Sequence, residues 1–312
     1  MSRGDRSVGD PVAPVPADLL GVPHGLGAGH GACPGCAATA VIRIALHVAR
    51  LGLRRVPVVV GGGGCLDRAT CAYPGNAWRV PFIAALPDSG PAVAAGLAAA
   101  VRARRAGGEL DGDMAVKVLV LADSITTRRW GLWSLQRAIR RGTDLTYICY
   151  VNEPLEAAWP AAGQSPVQRP APSIAPQDCA RLAALQGPAY VAQASIHAYD
   201  DLAAKLLRAM DACGPAFVSV LSACPAAGGP VEPGAQLALA EAAVECNLWP
   251  LYDWEYGRGR LTYRPLRPVP VDHYLARARS GAWTAEWAAR LQDTVDQRWE
   301  RLCAELESLR RE

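Results

Sequence analysis

The sequence predicts an α/β protein built on an open, mostly parallel sheet with helices on both faces. Short, continuously apolar segments, typical of fully buried strands, alternate along the chain with amphipathic segments at helical spacing. This alternation indicates parallel strands, because parallel neighbours are joined by crossovers that run through helices. The final segment, 283–311, has apolar residues at helical spacing together with both acidic and basic side chains, which predicts a C-terminal helical extension.

The first two elements are marked by spacing and by boundary residues. Apolar residues at helical spacing between Val41 and Val48 predict a helix over 37–51. The apolar run 58–60 then predicts a buried strand, with Pro57 at its start, where a missing backbone N–H is tolerated.

A second helix and a second strand follow. The helix is predicted over about 88–105, because Pro91 suits its first turn, arginines suit its last turn, and Gly107 ends it. The apolar run 116–121 predicts the next buried strand, followed by a turn at 122–124.

The alternation continues through the second half of the chain. Residues 154–178 contain six prolines and little periodicity, which predicts a long surface loop. The remaining predicted elements are a helix at 131–141, a strand at 145–151, a helix at 178–185, a strand at 190–193, a helix at 199–212 and a strand at 216–221.

The composition excludes several classes of protein. The net charge of +3 is spread along 312 residues without a basic block, which indicates neither nucleic acid nor an anionic membrane as a partner. No run approaches the roughly 20 apolar residues of a membrane span. Ten cysteines without an apolar signal segment predict reduced thiols, metal ligation and a cytoplasmic location. We predict a flexible arm at 1–28, an α/β domain at 29–248 and an extension for subunit contact at 249–312.

Four cysteines follow loop signatures. Cys33 and Cys36 flank a Pro-Gly pair, so both sulfurs can face one centre. Cys65 follows four glycines ending at Gly64, which let the backbone approach a ligand closely, and Cys224 follows the last predicted buried strand. Structural zinc sites generally take two close pairs of ligands, so one pair joined by two distant cysteines favours an iron–sulfur cluster. Spacing alone leaves zinc open.

Four polar or thiol residues lie just past the C-terminal ends of predicted strands: Cys65, Asp123, Asn152 and Cys224. In a doubly wound sheet the carboxyl ends of the strands form the edge at which ligands bind. The sequence therefore predicts that these side chains meet at one edge of the sheet.

A series of motifs runs through the chain in order. They are His30-Gly-Ala-Cys33-Pro-Gly-Cys36, Gly64-Cys65-Leu66, the segments 77–83 and 90–96, Tyr147-Ile148-Cys149-Tyr150 with Asn152-Glu153, Cys224-Pro225, Trp249-Pro250-Leu251-Tyr252 and the segment 295–299. Through them the chain resembles, over roughly residues 29–303, the thiamine diphosphate-binding β subunit of pyruvate:ferredoxin oxidoreductase and related 2-oxoacid:ferredoxin oxidoreductases.

The resemblance implies a thiamine diphosphate-binding fold and two kinds of cofactor. The first is a [4Fe-4S] cluster, and the implied ligands are Cys33, Cys36, Cys65 and Cys224. The second is thiamine diphosphate with Mg²⁺, and the implied residues are Asp123 and Asn152 as metal ligands, with Gly64 and Ser124 beside the cofactor.

The resemblance also implies an activity and partners. The activity is oxidative decarboxylation of a 2-oxo acid to an acyl-CoA, with electrons passed through the cluster to ferredoxin. The implied partners are an α subunit that carries the pyrimidine-binding domain, a ferredoxin or ferredoxin-like subunit, the 2-oxo acid and coenzyme A.

The diphosphate-binding motif departs from the family pattern. The Gly-Asp-Gly turn of the family is Ala122-Asp123-Ser124 here, and its Asp-Asn pair is Val151-Asn152. Glu156 and Trp159 stand where the family has smaller or uncharged residues. A second hypothesis is therefore a degenerate subunit that keeps the cluster for electron transfer or assembly and no longer binds thiamine diphosphate.

Overall fold

The computed structural model describes residues 25–71, 75–110, 115–155, 178–224, 232, 234–278 and 283–308. Within these residues, eight strands form one sheet in the order β2-β1-β3-β4-β6-β5-β7-β8. The strands are β1 (Val56–Gly61), β2 (Phe82–Ala84), β3 (Val116–Asp123), β4 (Thr146–Val151), β5 (Tyr190–Ser195), β6 (Ala216–Leu221), β7 (Tyr252–Glu255) and β8 (Arg258–Leu261).

The sheet is mostly parallel, as predicted. The first six strands pair in parallel, whereas β7 runs antiparallel to β5 and β8 antiparallel to β7. Strands β4, β5 and β6 are buried along their whole length. Burial on both faces explains why their sequences are apolar without alternation.

Helices connect the strands and extend the chain at its C-terminus. They are α1 (Ala37–His47), α2 (Cys65–Thr70), α3 (Gly90–Ala106), α4 (Ser124–Thr126), α5 (Leu132–Arg140), α6 (Cys179–Ala184), α7 (Tyr199–Asp211), α8 (Ala235–Glu245), α9 (Asp272–Leu275) and α10 (Ala285–Ser308). The predicted C-terminal helix is thus confirmed as α10, which packs against β8. No helix in the described ranges combines the length and the apolar character needed to cross a bilayer.

Two predictions of local structure, one of a helix and one of a turn, need correction. Helix α1 ends at His47, and the chain continues as a π-helical turn over Val48–Gly52. The turn predicted at 122–124 is wrong, because β3 runs through Asp123 and a helical segment starts at the next residue. Asp123 caps that segment by accepting a hydrogen bond from the backbone N–H of Thr126, which satisfies one of the free donors of a helix start.

Several elements were not predicted from the sequence. They are β2, α2, α8, α9 and the antiparallel pair of β7 and β8. Because this pair belongs to the same sheet, the sheet continues past the boundary predicted at residue 248. The role of 249–312 in subunit contact stays a prediction. Residues 1–24 of the predicted arm and 156–177 of the predicted loop, with Glu156 and Trp159, lie outside the described residues, as does Pro225.

Candidate cluster and cofactor site

The Cys33–Cys36 turn is held by backbone hydrogen bonds at the start of α1. The N–H of Cys36 donates to the Cys33 carbonyl at 3.0 Å, and Cys36 is the residue that precedes the helix. The Thr39 hydroxyl donates to the Cys36 carbonyl at 2.6 Å. A bond of 2.7 Å from the N–H of Gly31 to the Ala69 carbonyl ties this loop to α2. The two segments that carry three of the four predicted cysteines are therefore neighbours.

The other two cysteines lie at the carboxyl edge of the sheet. Cys65 is the first residue of α2, directly after the glycines that follow β1. Cys224 comes three residues after β6, and its N–H donates to the Asn152 carbonyl at 2.7 Å. This bond places Cys224 beside the residue predicted to bind Mg²⁺.

The electrostatics of Cys65 involve the other three predicted ligands. Burial, followed by the charges of Cys224, Cys36, Asp123 and Cys33, raises the pKa of Cys65 to about 11. Because a thiolate here adds negative charge beside negative neighbours, a compensating cation would be required to deprotonate the group. An iron–sulfur cluster would provide that charge.

The described residues hold no group of three or more His, Cys, Asp or Glu side chains arranged for a metal ion. A four-iron cluster takes one thiolate on each iron and is larger than one ion. The four cysteine sulfurs of such a site each bind a different iron, so they lie further apart than the ligands of a single metal ion. The ligand roles of these cysteines stay a prediction.

Asp123 and Asn152 end neighbouring strands. Asp123 is 8% exposed, and its Oδ1 accepts the Thr126 N–H at 2.6 Å. Asn152 directly follows β4, which pairs with β3 in parallel. The structure thus brings both residues to the edge that carries Cys65 and Cys224, as the sequence predicted.

Gly64 lies where the cysteine loop meets Asp123. Its φ of +121° is a backbone conformation that side-chain-bearing residues rarely adopt. A Cβ on Gly64 would collide with the phenol oxygen of Tyr150 and stand 2.9 Å from Asp123 Oδ2. Only a glycine therefore lets the backbone of Cys65 pass this close to the carboxylate.

Buried polar atoms without a partner fit the binding of a further group at this edge. Ser124, which is 1% exposed, has no hydrogen-bond partner for Oγ, and neither Tyr150 Oη nor His30 Nδ1 has one among the described residues. Unpaired buried groups are costly, so they commonly mark a ligand or water that completes them. Ser124 thus offers a hydroxyl where the family has a glycine.

Comparison with known proteins gives the family. No family model matches the chain. The chain is 34% identical over 294 residues to pyruvate synthase subunit PorB of Methanothermobacter marburgensis, and the alignment covers 90% of this chain and 96% of that protein. The chain belongs to the family of these PorB subunits. The PorB subunit of Thermotoga maritima is 30% identical, with 89% of this chain and 91% of that protein covered.

Two further comparisons agree with this assignment. The ketoisovalerate oxidoreductase subunit VorB of Pyrococcus horikoshii is 27% identical, covering 88% of this chain and 91% of that protein. A 2-oxoglutarate:ferredoxin oxidoreductase from Magnetococcus marinus shares the fold at a TM-score of 0.50 and 19% identity, over 70% of this chain and 79% of that one. The chain is therefore the β subunit of a 2-oxoacid:ferredoxin oxidoreductase.

The structure adds two residues of this β subunit that the sequence had not singled out. Asp67 lies two residues after Cys65, and its Oδ2 accepts the Gly63 N–H at 2.8 Å, which holds the glycine loop. Tyr150 appeared in the sequence only as part of a motif, and its phenol proves to face Gly64. Neither contact has a signature in sequence spacing, because both depend on how β1, α2 and β4 come together.

Replacing Gly64 with alanine is expected to destabilise the β subunit by about 3 kcal/mol, from backbone strain together with the collision at Tyr150. Urea unfolding followed by circular dichroism would measure the loss. Gly96→Ala is the matched control, because Gly96 lies inside α3 with nothing near its Cβ position. We expect that change to stabilise by about 0.5–1 kcal/mol. Equal effects of the two changes would contradict the account of Gly64.

Glu153 is expected to make stability fall as the pH rises. Its side chain adjoins a cavity of about 10 Å³ lined by Asn152, Leu221 and Tyr274, and its Oε2 has no hydrogen-bond partner within the described part of the chain. Burial raises the pKa of Glu153 from 4.5 to about 8. Between these values the folded state keeps a proton that the unfolded state releases, so the free energy of unfolding decreases with pH.

Glu153→Gln should remove this pH dependence. The variant should gain stability over the parent protein by up to about 1.4 kcal/mol for each pH unit between 4.5 and 8. Tm values of the cofactor-free protein across this range would measure the difference. Glu241→Gln, at an exposed position on α8, is the control and should change nothing. A constant offset between Glu153→Gln and the parent protein at all pH values would contradict the prediction.

Proposed function

We propose that this β subunit serves a cytoplasmic, pyruvate-type enzyme that oxidatively decarboxylates a 2-oxo acid to an acyl-CoA and reduces ferredoxin. The observation that carries the proposal is that Cys65, Asp123, Asn152 and Cys224 lie at one edge of the sheet, with the loop that contains Cys33 and Cys36 hydrogen-bonded to α2, which begins at Cys65. The names of the relatives support pyruvate as the substrate, since the matches at 30% identity or above include pyruvate synthase subunits.

The four thiols are the proposed ligands of a [4Fe-4S] cluster. Cys33 and Cys36 come from one turn, whereas Cys65 and Cys224 come from the ends of two strands, so the folded sheet brings the ligands together. Cys36 and Cys224 are half-buried, whereas Cys33 and Cys65 are exposed on this chain. Ligation by four thiolates favours a low reduction potential, which electron transfer to ferredoxin requires.

Asp123 and Asn152 are the proposed protein ligands of Mg²⁺. Carboxylate and amide oxygens suit this cation, which would in turn neutralise a diphosphate. When bound, thiamine diphosphate supplies the carbon chemistry and the cluster supplies one-electron transfer. The chain itself would hold the metal at Asp123 and offer the Ser124 hydroxyl beside it, and Gly64 would keep the two sites in contact.

The proposal includes a partner α subunit that carries the pyrimidine-binding domain, and a ferredoxin or ferredoxin-like subunit. The single sheet of this chain offers one edge for the diphosphate half of the cofactor. The second hypothesis, a subunit that keeps a cluster but has lost thiamine diphosphate, is not favoured by the relatives, which are named as subunits of pyruvate synthase and ketoisovalerate oxidoreductase.

The test is the cofactor content and activity of the complex purified anaerobically with its native partners. We expect about four irons with matching sulfide and about one thiamine diphosphate for each β subunit. Pyruvate with coenzyme A should reduce a viologen dye faster than 2-ketoisovalerate or 2-oxoglutarate does. A complex with full iron but neither thiamine diphosphate nor activity would establish the second hypothesis instead.

A further inference from the structure

Tyr150 carries a buried hydroxyl whose proton has no acceptor among the described residues. The residue lies near the end of β4 and is 2% exposed. Leaving such a group unpaired costs about 1–3 kcal/mol, so its presence in a native fold calls for an explanation.

The phenol is directed at the backbone that presents Cys65. A Cβ on Gly64, the residue before Cys65, would collide with the phenol oxygen, and the same Cβ would stand 2.9 Å from Asp123 Oδ2. The backbone N–H of Leu66 also faces this oxygen, but an N–H can only donate. The hydroxyl therefore lies beside Gly64, the residue before the proposed cluster ligand Cys65, and near the proposed metal ligand Asp123, with its proton unused.

A phenol, with an ordinary pKa of about 10, keeps its proton at neutral pH, so Tyr150 can act as a hydrogen-bond donor. Of the nearby carboxylate oxygens, Asp67 Oδ2 is bonded to Gly63 N–H and Asp123 Oδ1 to Thr126 N–H. Asp123 Oδ2 is the oxygen left for the proposed Mg²⁺. Cys65 gains its full acceptor strength only as a metal-bound thiolate.

Building on the proposed function, we propose that Tyr150 donates a hydrogen bond to the Cys65 sulfur in the cluster-loaded subunit and so raises the reduction potential of the cluster. Hydrogen bonds to cluster sulfurs stabilise the reduced state, which carries one more negative charge. Tyr150 is thus a positioning residue that acts through Cys65. It also lies against the Asp123 side of the site, so the tuning group lies between the two proposed cofactors.

The test compares Tyr150→Phe with Tyr147→Phe in the complete complex, using redox titration followed by electron paramagnetic resonance. Both tyrosines belong to β4 and are buried, but the Tyr147 hydroxyl already has a partner in Thr127 Oγ1 at 2.9 Å. In Tyr150→Phe we expect reduction of the cluster to become about tenfold less favourable, a shift of about 59 mV to lower potential. Tyr147→Phe should leave the potential unchanged.

A second substitution distinguishes the loss of the hydrogen bond from poor folding of Tyr150→Phe. Incorporating 3-fluorotyrosine at position 150 keeps the shape of the side chain and makes its hydroxyl a stronger donor, so the potential should rise. Equal potentials in the parent complex, Tyr150→Phe and the fluorinated protein would overturn the role of Tyr150. So would a loss of thiamine diphosphate affinity in Tyr150→Phe at an unchanged potential, which would assign the hydroxyl to Asp123. A parent complex without iron and sulfide would overturn the proposed cluster itself.

Discussion

Replacing Cys65 with serine is expected to leave the assembled complex without a complete cluster. All three other predicted ligands contribute to the raised pKa of Cys65, and Cys65 starts the helix to which the loop with Cys33 and Cys36 is hydrogen-bonded. Even groups that only contact a metal ligand commonly change affinity or activity by 10–100-fold, and loss of the ligand itself should exceed that range. We expect pyruvate-dependent ferredoxin reduction to fall by more than about 100-fold. Iron and sulfide analysis, with the electron paramagnetic resonance signal, would measure the loss of the cluster.

Cys71→Ser is the matched control for this experiment. Cys71 lies six residues further along, directly after α2, and its thiol donates to the Asp67 carbonyl. It is as close in sequence as any cysteine to Cys65, yet it is absent from the groups that shift the pKa of Cys65. Iron content should therefore stay at the parent level in Cys71→Ser. If the control loses iron and Cys65→Ser retains it, the ligand set is wrong.

The sheet shows which parts of the fold a sequence can specify. Strand β6 has the bounds predicted for it, because its apolar run lies between Pro215 and Ser222 and both faces are buried. Strand β7 was missed because Asp253 interrupts its apolar residues. In the structure Asp253 is buried but paired with Arg260 at 2.9 Å and with the Tyr190 hydroxyl at 3.0 Å. A buried carboxylate is tolerable only with such partners, and these come from other strands.

The sequence was sufficient to predict which edge of the sheet carries the candidate site. Residues after parallel strands must share one edge, so the approach of Cys65, Asp123, Asn152 and Cys224 followed from the strand pattern. The exact conformation did not follow. The turn at 122–124 was predicted because the apolar run ends at residue 121, whereas β3 continues to Asp123, which caps a helical segment that starts at Ser124.

Replacing Asp123 is expected to remove thiamine diphosphate from the complex while leaving the iron–sulfur cluster in place. Asp123→Asn keeps an oxygen that can accept the Thr126 N–H, since asparagine caps helices as well as aspartate does, but it removes the negative charge. Asp123→Ala removes both. Without the carboxylate, Mg²⁺ and the diphosphate lose a ligand, so copurified thiamine diphosphate and pyruvate-dependent activity should fall by more than about 100-fold in both variants.

The two variants should differ in stability and agree in their cluster. Loss of the cap should cost Asp123→Ala about 1 kcal/mol in urea unfolding, whereas Asp123→Asn should stay near the parent value. Iron and sulfide should persist in both, because Asp123 contributes no thiolate and only neighbours Cys65. Retention of thiamine diphosphate at the parent level in Asp123→Asn would show that the carboxylate does not bind the metal. Loss of iron together with thiamine diphosphate would instead show that the site forms as a single unit, since Gly64 joins its two halves.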